Sequence, residues 1–204
     1  QLFVIHPQNP QMRLIRQAAG FLAKGNVIAY PTDSCYALGC HIGDTTASEK
    51  LRSIRRLDAK HHFTLMCNDL SSIGIYAKVD NSAYRLLKAH TPGAYTFILK
   101  ASREVPRRLQ HAKRKTIGIR VPDNVIAQSL VAEIGEPILT TSLILPSDDL
   151  PLSDPYEIRD RLSYQIDLVI DGGYCGLDET TVIDLADGVP KIIREGKGDI
   201  LPFI

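Results

Sequence analysis

Short runs of β-branched and apolar residues alternate with segments of helical spacing along the whole chain, and this alternation restricts it to an α/β architecture. Residues 2 to 5 read as a strand. Residues 11 to 24 place Met12, Leu14, Ile15, Ala18, Ala19 and Leu22 on one helical stripe, and Gly25 ends it. A strand is expected at 27 to 30, and Asp44 or Thr45 caps a helix over about 46 to 56. "FTLMC" (63 to 67) reads as a strand. Asp69 and Asn81 read as caps of two helices that end near Tyr76 and His90. "YTFILK" (95 to 100) and "TIGIRV" (116 to 121) are β signals. Asn124 opens a helix to about Ile134, closed by Gly135, and "PILTTSL" returns to a strand. Asp154-Pro155 opens a helix to about Ser163, and "DLVI", "TTVIDL" and "PKIIRE" are three further β runs. Strands that return after both hairpins and helices predict a twisted sheet, mixed parallel and antiparallel, flanked by helices. With no repeat and no Pro/Gly/Ser linker, residues 1 to 204 read as a single domain.

Composition narrows the classes further. With 44% apolar and 23% charged residues, the chain has the make-up of a globular protein able to bury a core. No apolar run approaches the roughly 20 residues of a membrane span. The start, "QLFVIHPQNP", lacks the basic flank and small-residue cleavage site of a signal peptide. Cys35, Cys40, Cys67 and Cys175 show no C-x-x-C spacing and read as reduced thiols, so a cytoplasmic location is expected. A net charge of +1 gives no global signal for a polyanion. Locally, "RSIRR" (52 to 56), "REVPRR" (103 to 108) and "KRK" (113 to 115) are basic, and 148 to 187 is mostly acidic. The basic clusters are either solvated faces or converge on an anion site.

The expected strand ends carry a chemical pattern. Thr32, Asp33 and Ser34 follow the second strand, and Arg120 ends "TIGIR". Thr140, Thr141 and Ser142 follow "PIL", Thr180 and Thr181 open "TTVIDL", and Arg194 ends "PKIIR". Each alone is a turn or capping residue. Together, hydroxyls and guanidinium groups are what carboxylate and phosphate recognition uses, and strand ends of α/β sheets are where ligands sit. His61 and His62 are adjacent, so on a strand they point to opposite faces. No third ligand accompanies them, and no metal set from protein side chains is expected. Cys35 has no obvious His partner and is not read as a nucleophile.

These stretches resemble the YrdC/YciO family, whose characterised members make threonylcarbamoyl-AMP for modifying the tRNA adenosine next to the anticodon. "PTDSCYALGC" resembles the family's "PTDTVYGLG", and "IRRLDAKHHFTLMC" its "KKRPxxHPLI". "TPGAYTFILK" resembles "PGPLTLIL", and "TIGIRVPDN" resembles "VAVRVPDHP". "TTSLILPSDDLPLSDPYEI" resembles "ATSANxSGxPSPTxAEEV", and "ETTVIDLADGVPKIIREGKGDI" resembles "ESTVVDLxxxPxILRPGAI". The six motifs keep their order over about residues 10 to 200, and the YciO branch is the nearest match.

The resemblance implies a YrdC-like fold with a concave basic cavity. It implies threonine contacts at Ser34, His61, Arg120 and Thr140. It implies nucleotide contacts at Arg52, Arg55, Arg56, Thr116, Ser142 and Arg194. It brings ATP or AMP, L-threonine and bicarbonate as ligands and Mg²⁺ with ATP; no membrane is implied, and a monomer is favoured. Two positions depart from the family. Its K-x-R reads Arg55-Arg56-Leu57, and its S-x-N reads Ser142-Leu143-Ile144, so a cation and an amide are replaced by Leu57 and Ile144. Weak synthase activity is the enzyme reading. The alternative is a tRNA- or double-stranded-RNA-binding protein, with Arg103, Arg107, Arg108, Lys113, Arg114 and Lys115 as RNA-contact candidates.

Overall fold

A computed structural model describes residues 1–58 and 63–204. Its strands are β1 (Leu2–Val4), β2 (Ile28–Tyr30), β3 (Ala37–His41), β4 (Thr64–Met66), β5 (Ala77–Lys78) and β6 (Tyr95–Ala101). They continue with β7 (Thr116–Arg120), β8 (Ile138–Ser142), β9 (Leu168–Asp171), β10 (Thr181–Asp184) and β11 (Lys191–Arg194). The helices are α1 (Met12–Ala23), α2 (Thr45–Arg55), α3 (Leu70–Tyr76), α4 (Asn81–His90), α5 (Val125–Ile134) and α6 (Pro155–Leu162). All the strands join one sheet in the order β1-β9-β2-β3-β8-β4-β7-β6-β10-β11, with β5 added to β6. Pairing is mixed: β1–β9, β2–β9, β4–β7 and β6–β10 are parallel, and the rest are antiparallel.

The local signals explain most boundaries. Asp44, Asp69 and Asn124 accept hydrogen bonds from Ala47, Ser72 and Ala127 N–H, capping α2, α3 and α5. Gly25 and Gly135 follow α1 and α5 with φ of 85° and 77°, a left-handed region that favours glycine. The cap of α4 differs from the reading above. Asp80, not Asn81, accepts from Ala83 N–H at 2.8 Å, because Asn81 is already in the first helical turn. Strand β3 also goes beyond that reading. After the "PTDS" turn the chain reverses, and Ala37–His41 pairs antiparallel with β2.

The sheet buries apolar side chains on both faces, following the period-two alternation of strands. On one face, Ile28, Tyr30, Ile138, Leu168 and Ile170 pack under Ile15, Ala18 and Leu22 of α1 and Ile126 and Leu130 of α5. On the other, Phe97, Leu99, Ile117, Ile119, Leu139 and Ile183 meet Leu51 of α2, Leu87 of α4 and Ile158 of α6. The packing of α1 and α5 falls over the β9-β2-β3-β8 side. The continuation of the same face, over β4, β7, β6 and β10, is where the cavity described below opens.

Candidate functional site

Alternation places Thr96 and Ile98 of β6, Thr116 and Gly118 of β7, Thr64 of β4 and Val182 of β10 on that continuation, opposite the core side chains Phe97, Ile119 and Ile183. They line a cavity of about 440 Å³. Its floor therefore mixes the hydroxyls of Thr64, Thr96 and Thr116 with Gly118 and the aliphatic Ile98 and Val182. A Cβ at Gly118 would meet Thr64 Oγ1 at 3.0 Å and Thr96 Cγ2 at 3.2 Å, so glycine keeps the floor low at its centre. The hydroxyls are tied to one another. Thr96 Oγ1 and Thr180 Oγ1 lie 2.7 Å apart, and Thr140 Oγ1 bonds to buried Tyr30 OH. Burial pushes the Tyr30 phenol upward, so it stays protonated.

Four guanidinium groups stand in the wall: Arg55, Arg114, Arg120 and Arg194. Three have carboxylate partners. Arg120 Nη2 pairs with Asp33 Oδ1, and both side chains are buried. Arg194 Nη1 contacts Glu179 Oε1 at 3.2 Å, while its Nε and Nη2 donate to the Thr180 carbonyl. Arg114 bridges Asp184 (2.7 Å) and Asp187 (3.1 Å). Arg55 differs, donating to neutral acceptors: the Ile144 carbonyl at 2.9 Å through Nε and Thr141 Oγ1 at 2.5 Å through Nη1. Burial lowers its pKa, as expected for a partly desolvated cation. Burial likewise pushes the Cys35 thiol up, which makes this wall residue a poor nucleophile.

The structure brings together Arg55, Thr116, Arg120, Thr140, Ser142 and Arg194 of the residues singled out from sequence. Ser34 is buried behind them, accepting from Arg120 Nη1 at 3.4 Å. Arg52 and Arg56 do not line the cavity. Arg52 lies over the Phe63 ring and donates to the Asp58 carbonyl. Arg56 takes a left-handed conformation (φ 51°) at the end of α2, which turns it into a separate concavity with Lys50 and Arg161. That same turn puts Leu57 in the cavity wall, and Ile144 joins it. His61 lies outside the described residues. Of the RNA-contact candidates, Arg103, Arg107 and Lys115 surround another concavity with Lys78, and Lys113 is exposed. The guanidinium groups of Arg108 and Arg114 already have partners within the fold, Arg108 with the Ile42 carbonyl and Ser48 Oγ and Arg114 with its two aspartates.

Sequence reading placed the site at strand ends. The structure spreads it across a sheet face and adds Thr64, Thr96, Gly118, His111 and Glu179 to the wall. The signal for the floor was present as Thr96 in "YTFILK" and as Thr116 and Gly118 at alternate positions of "TIGIR". Glu179 carried no such signal, and Asp33 stood out only as part of the strand-end cluster, because their pairing with Arg194 and Arg120 is long-range.

The Arg114–Asp184 pair has a pH consequence. Burial alone would raise the Asp184 pKa; the Arg114 guanidinium, the Ala186 N–H and Lys191 outweigh it and hold the carboxyl below its ordinary value. A pKa lower in the folded than in the unfolded chain contributes stability in full above the ordinary carboxylate range. That contribution is lost as pH falls through the folded value. Arg114→Gln is therefore expected to destabilise the protein most at neutral pH. The gap to the native chain should narrow toward acid in denaturant titrations at a series of pH values. A gap that stays constant with pH would show that the pair does not govern Asp184.

The Sua5_yciO_yrdC family, described as telomere recombination, matches residues 20–196. The YciO protein of Escherichia coli (strain K12) is 59% identical over 204 residues, covering 100% of this chain and 99% of that protein. The threonylcarbamoyl-AMP synthase of Bacillus subtilis (strain 168) is 30% identical over 184 residues, 89% of this chain and 53% of that enzyme. The crystal structure of E. coli YciO superimposes with a TM-score of 0.97 over 100% of this chain and 99% of that one, at 59% identity. Pyrococcus abyssi Sua5 complexed with L-threonine gives 0.88 at 27% identity, covering 96% of this chain and 57% of that one. The chain thus spans little more than half of the B. subtilis and P. abyssi proteins.

Proposed function

Because the chain belongs to the Sua5, YciO and YrdC family, we propose that its cavity binds an adenosine nucleotide and L-threonine and supports a weak threonylcarbamoyl-AMP synthase reaction. The observation that carries this is a cavity with threonine hydroxyls in its floor, ringed by Arg55, Arg120 and Arg194, on a fold that superimposes on a threonine-bound relative. In the proposed step, the threonine amine bonds to the carbon of bicarbonate, a C–O bond breaks and water leaves, giving an N-carboxylate. Its oxygen attacks the α-phosphate of ATP, the bond from the α-phosphorus to the bridging oxygen breaks, and pyrophosphate leaves. No protein nucleophile is needed, and such chemistry depends on positioning and charge neutralisation.

Arg120 is assigned to the threonine end and Arg55 to phosphate. Thr116, Ser142 and Arg194 are assigned to the nucleotide. Mg²⁺ enters this reading as the partner of ATP, neutralising phosphate charge. Among the described residues no group of three or more His, Cys, Asp or Glu could hold an ion, and Glu179 is engaged with Arg194. The ion is accordingly assigned to the substrate phosphates. A cytoplasmic setting fits the four free thiols, three of them buried. Thermal-shift titration with ATP, AMP, threonine and tRNA, singly and combined, tests the proposal. Stabilisation by threonine together with nucleotide supports it. No response to either, alone or together, removes it.

A second reading rests on a different place. Lys78, Arg103, Arg107 and Lys115 surround the concavity noted above, of about 730 Å³. Such a surface suits the phosphate backbone of tRNA or double-stranded RNA. Binding that weakens steeply with salt and needs neither threonine nor ATP favours this reading.

A further inference from the structure

The pairing of the wall arginines separates their roles. Arg114, Arg120 and Arg194 each contact at least one carboxylate, whereas the Arg55 contacts are with a carbonyl and a hydroxyl. Arg55 is thus the wall guanidinium without a carboxylate contact among the described residues. Arg120 is at the opposite extreme. Its side chain is 7% exposed, and that of Asp33 is 11% exposed. Asp33 spans three segments: Oδ1 takes Arg120 Nη2, Oδ2 accepts the Asp123 N–H at 2.9 Å, and its backbone carbonyl accepts Lys197 Nζ. Ser34 Oγ takes Arg120 Nη1. Both terminal nitrogens of the guanidinium are therefore turned to the loop between β2 and β3. Arg120 Nε is buried and has no hydrogen-bond partner among the described residues. A buried donor without an acceptor is costly, and Arg120 lines the cavity, so an oxygen brought to this N–H on ligand binding would relieve that cost.

We propose that Asp33 is a positioning and specificity-determining residue: it neutralises Arg120 and orients it so that a ligand oxygen is read there through one hydrogen bond from Nε. The inference rests on the threonine assignment made above and goes beyond it. A free guanidinium would select a full carboxylate through a bidentate pair. With Nη2 held by Asp33 and Nη1 directed at Ser34, both terminal nitrogens already have partners and the positive charge is already cancelled. The Arg120 end of the cavity then recognises an acceptor oxygen, charged or neutral. The demand for an anion shifts to Arg55, which also lines the cavity. The ligand class is a molecule with an acceptor oxygen at one end and an anionic group at the other, as in an amino acid joined to a nucleoside phosphate.

The test compares L-threonine with L-threoninamide, by calorimetry, on the native chain and on Asp33→Asn. The native chain should distinguish the two by less than about tenfold, since one shared hydrogen bond is at stake. In Asp33→Asn the Arg120 charge is no longer cancelled, and the preference for threonine should rise by at least about tenfold. A native chain that already prefers threonine by more than that, or a variant with an unchanged ratio, overturns the proposal.

Two further measurements keep it testable. In the native chain, nitrogen-15 NMR should show the Arg120 Nε–H resonance moving when threonine binds, and a bound ligand that leaves it unmoved overturns the proposal even if the variant fails to fold. If the native chain binds neither threonine compound, the threonine assignment fails instead. Inorganic phosphate is then the probe. It should shift the Arg120 resonance of Asp33→Asn at a concentration about tenfold lower than for the native chain, and equal concentrations overturn the charge cancellation.

Discussion

Replacing Arg120 with alanine is expected to abolish stabilisation by threonine and nucleotide and to lower the stability of the free protein as well. Sequence alone suggests a change confined to binding, because Arg120 ends a strand in a ligand motif. The structure adds the buried Asp33 carboxylate beside it. Removing one member of a buried pair leaves the other charge uncompensated, a loss of about 3–5 kcal/mol. For a chain of this size each kcal/mol lowers the melting temperature by roughly 2–4 °C. Arg120→Lys separates the two roles. It keeps a cation beside Asp33 but has no Nε–H, so the free protein should melt nearer the native temperature while ligand stabilisation is still lost. Thermal melts with and without threonine and AMP make both comparisons. An alanine variant with native affinity would reduce Arg120 to a structural residue.

The contrast between those two roles shows where sequence reading stops. Local signals were strong enough to place helix ends: Asp44 and Asn124 cap as expected, and Gly25 and Gly135 end their helices in left-handed turns. The mixed sheet followed from the order of β runs. Strand β3 stayed hidden because "YALGC" follows a turn directly and carries two small residues, which weakens its β signal. The arginines of the site were visible as residues, but their partners were not. Asp33 stands 87 positions from Arg120, and Asp184 stands 70 from Arg114. The acidic stretch from 148 to 187 read as a feature of its own. In the fold it supplies Glu179 to Arg194 and Asp184 and Asp187 to Arg114, pairs that join segments distant in sequence. Helix geometry settles a similar question at α2. The left-handed turn at Arg56 decides that Leu57, rather than Arg56, meets the cavity.

That exchange underlies the last expected result: ATP-dependent synthesis should be much slower than in a threonylcarbamoyl-AMP synthase of the family assayed in parallel, and Leu57→Arg with Ile144→Asn should raise it. Expelling pyrophosphate builds charge on the β- and γ-phosphates. Cations and amide donors aimed there act more strongly on the transition state than on the bound substrate. Leu57 and Ile144 offer neither, and both face the cavity on the wall that also holds Arg55. Arg55 itself should survive the change, because its Nε donates to the backbone carbonyl of residue 144, which asparagine keeps. A second guanidinium near Arg55 adds like-charge repulsion to the empty site. The double variant should therefore be less stable than the native chain without ligand and gain more from ATP with Mg²⁺. Each restored charge-assisted contact contributes about 1.5–3 kcal/mol, so pyrophosphate release in the presence of threonine and bicarbonate should rise by at least about tenfold. AMP binding should change less, since its contacts are assigned to Thr116, Ser142 and Arg194. A native rate equal to that of the reference synthase contradicts this account. So does a double variant that folds, binds ATP more tightly and still releases pyrophosphate no faster, since charge at the leaving group would then not be the limiting deficiency.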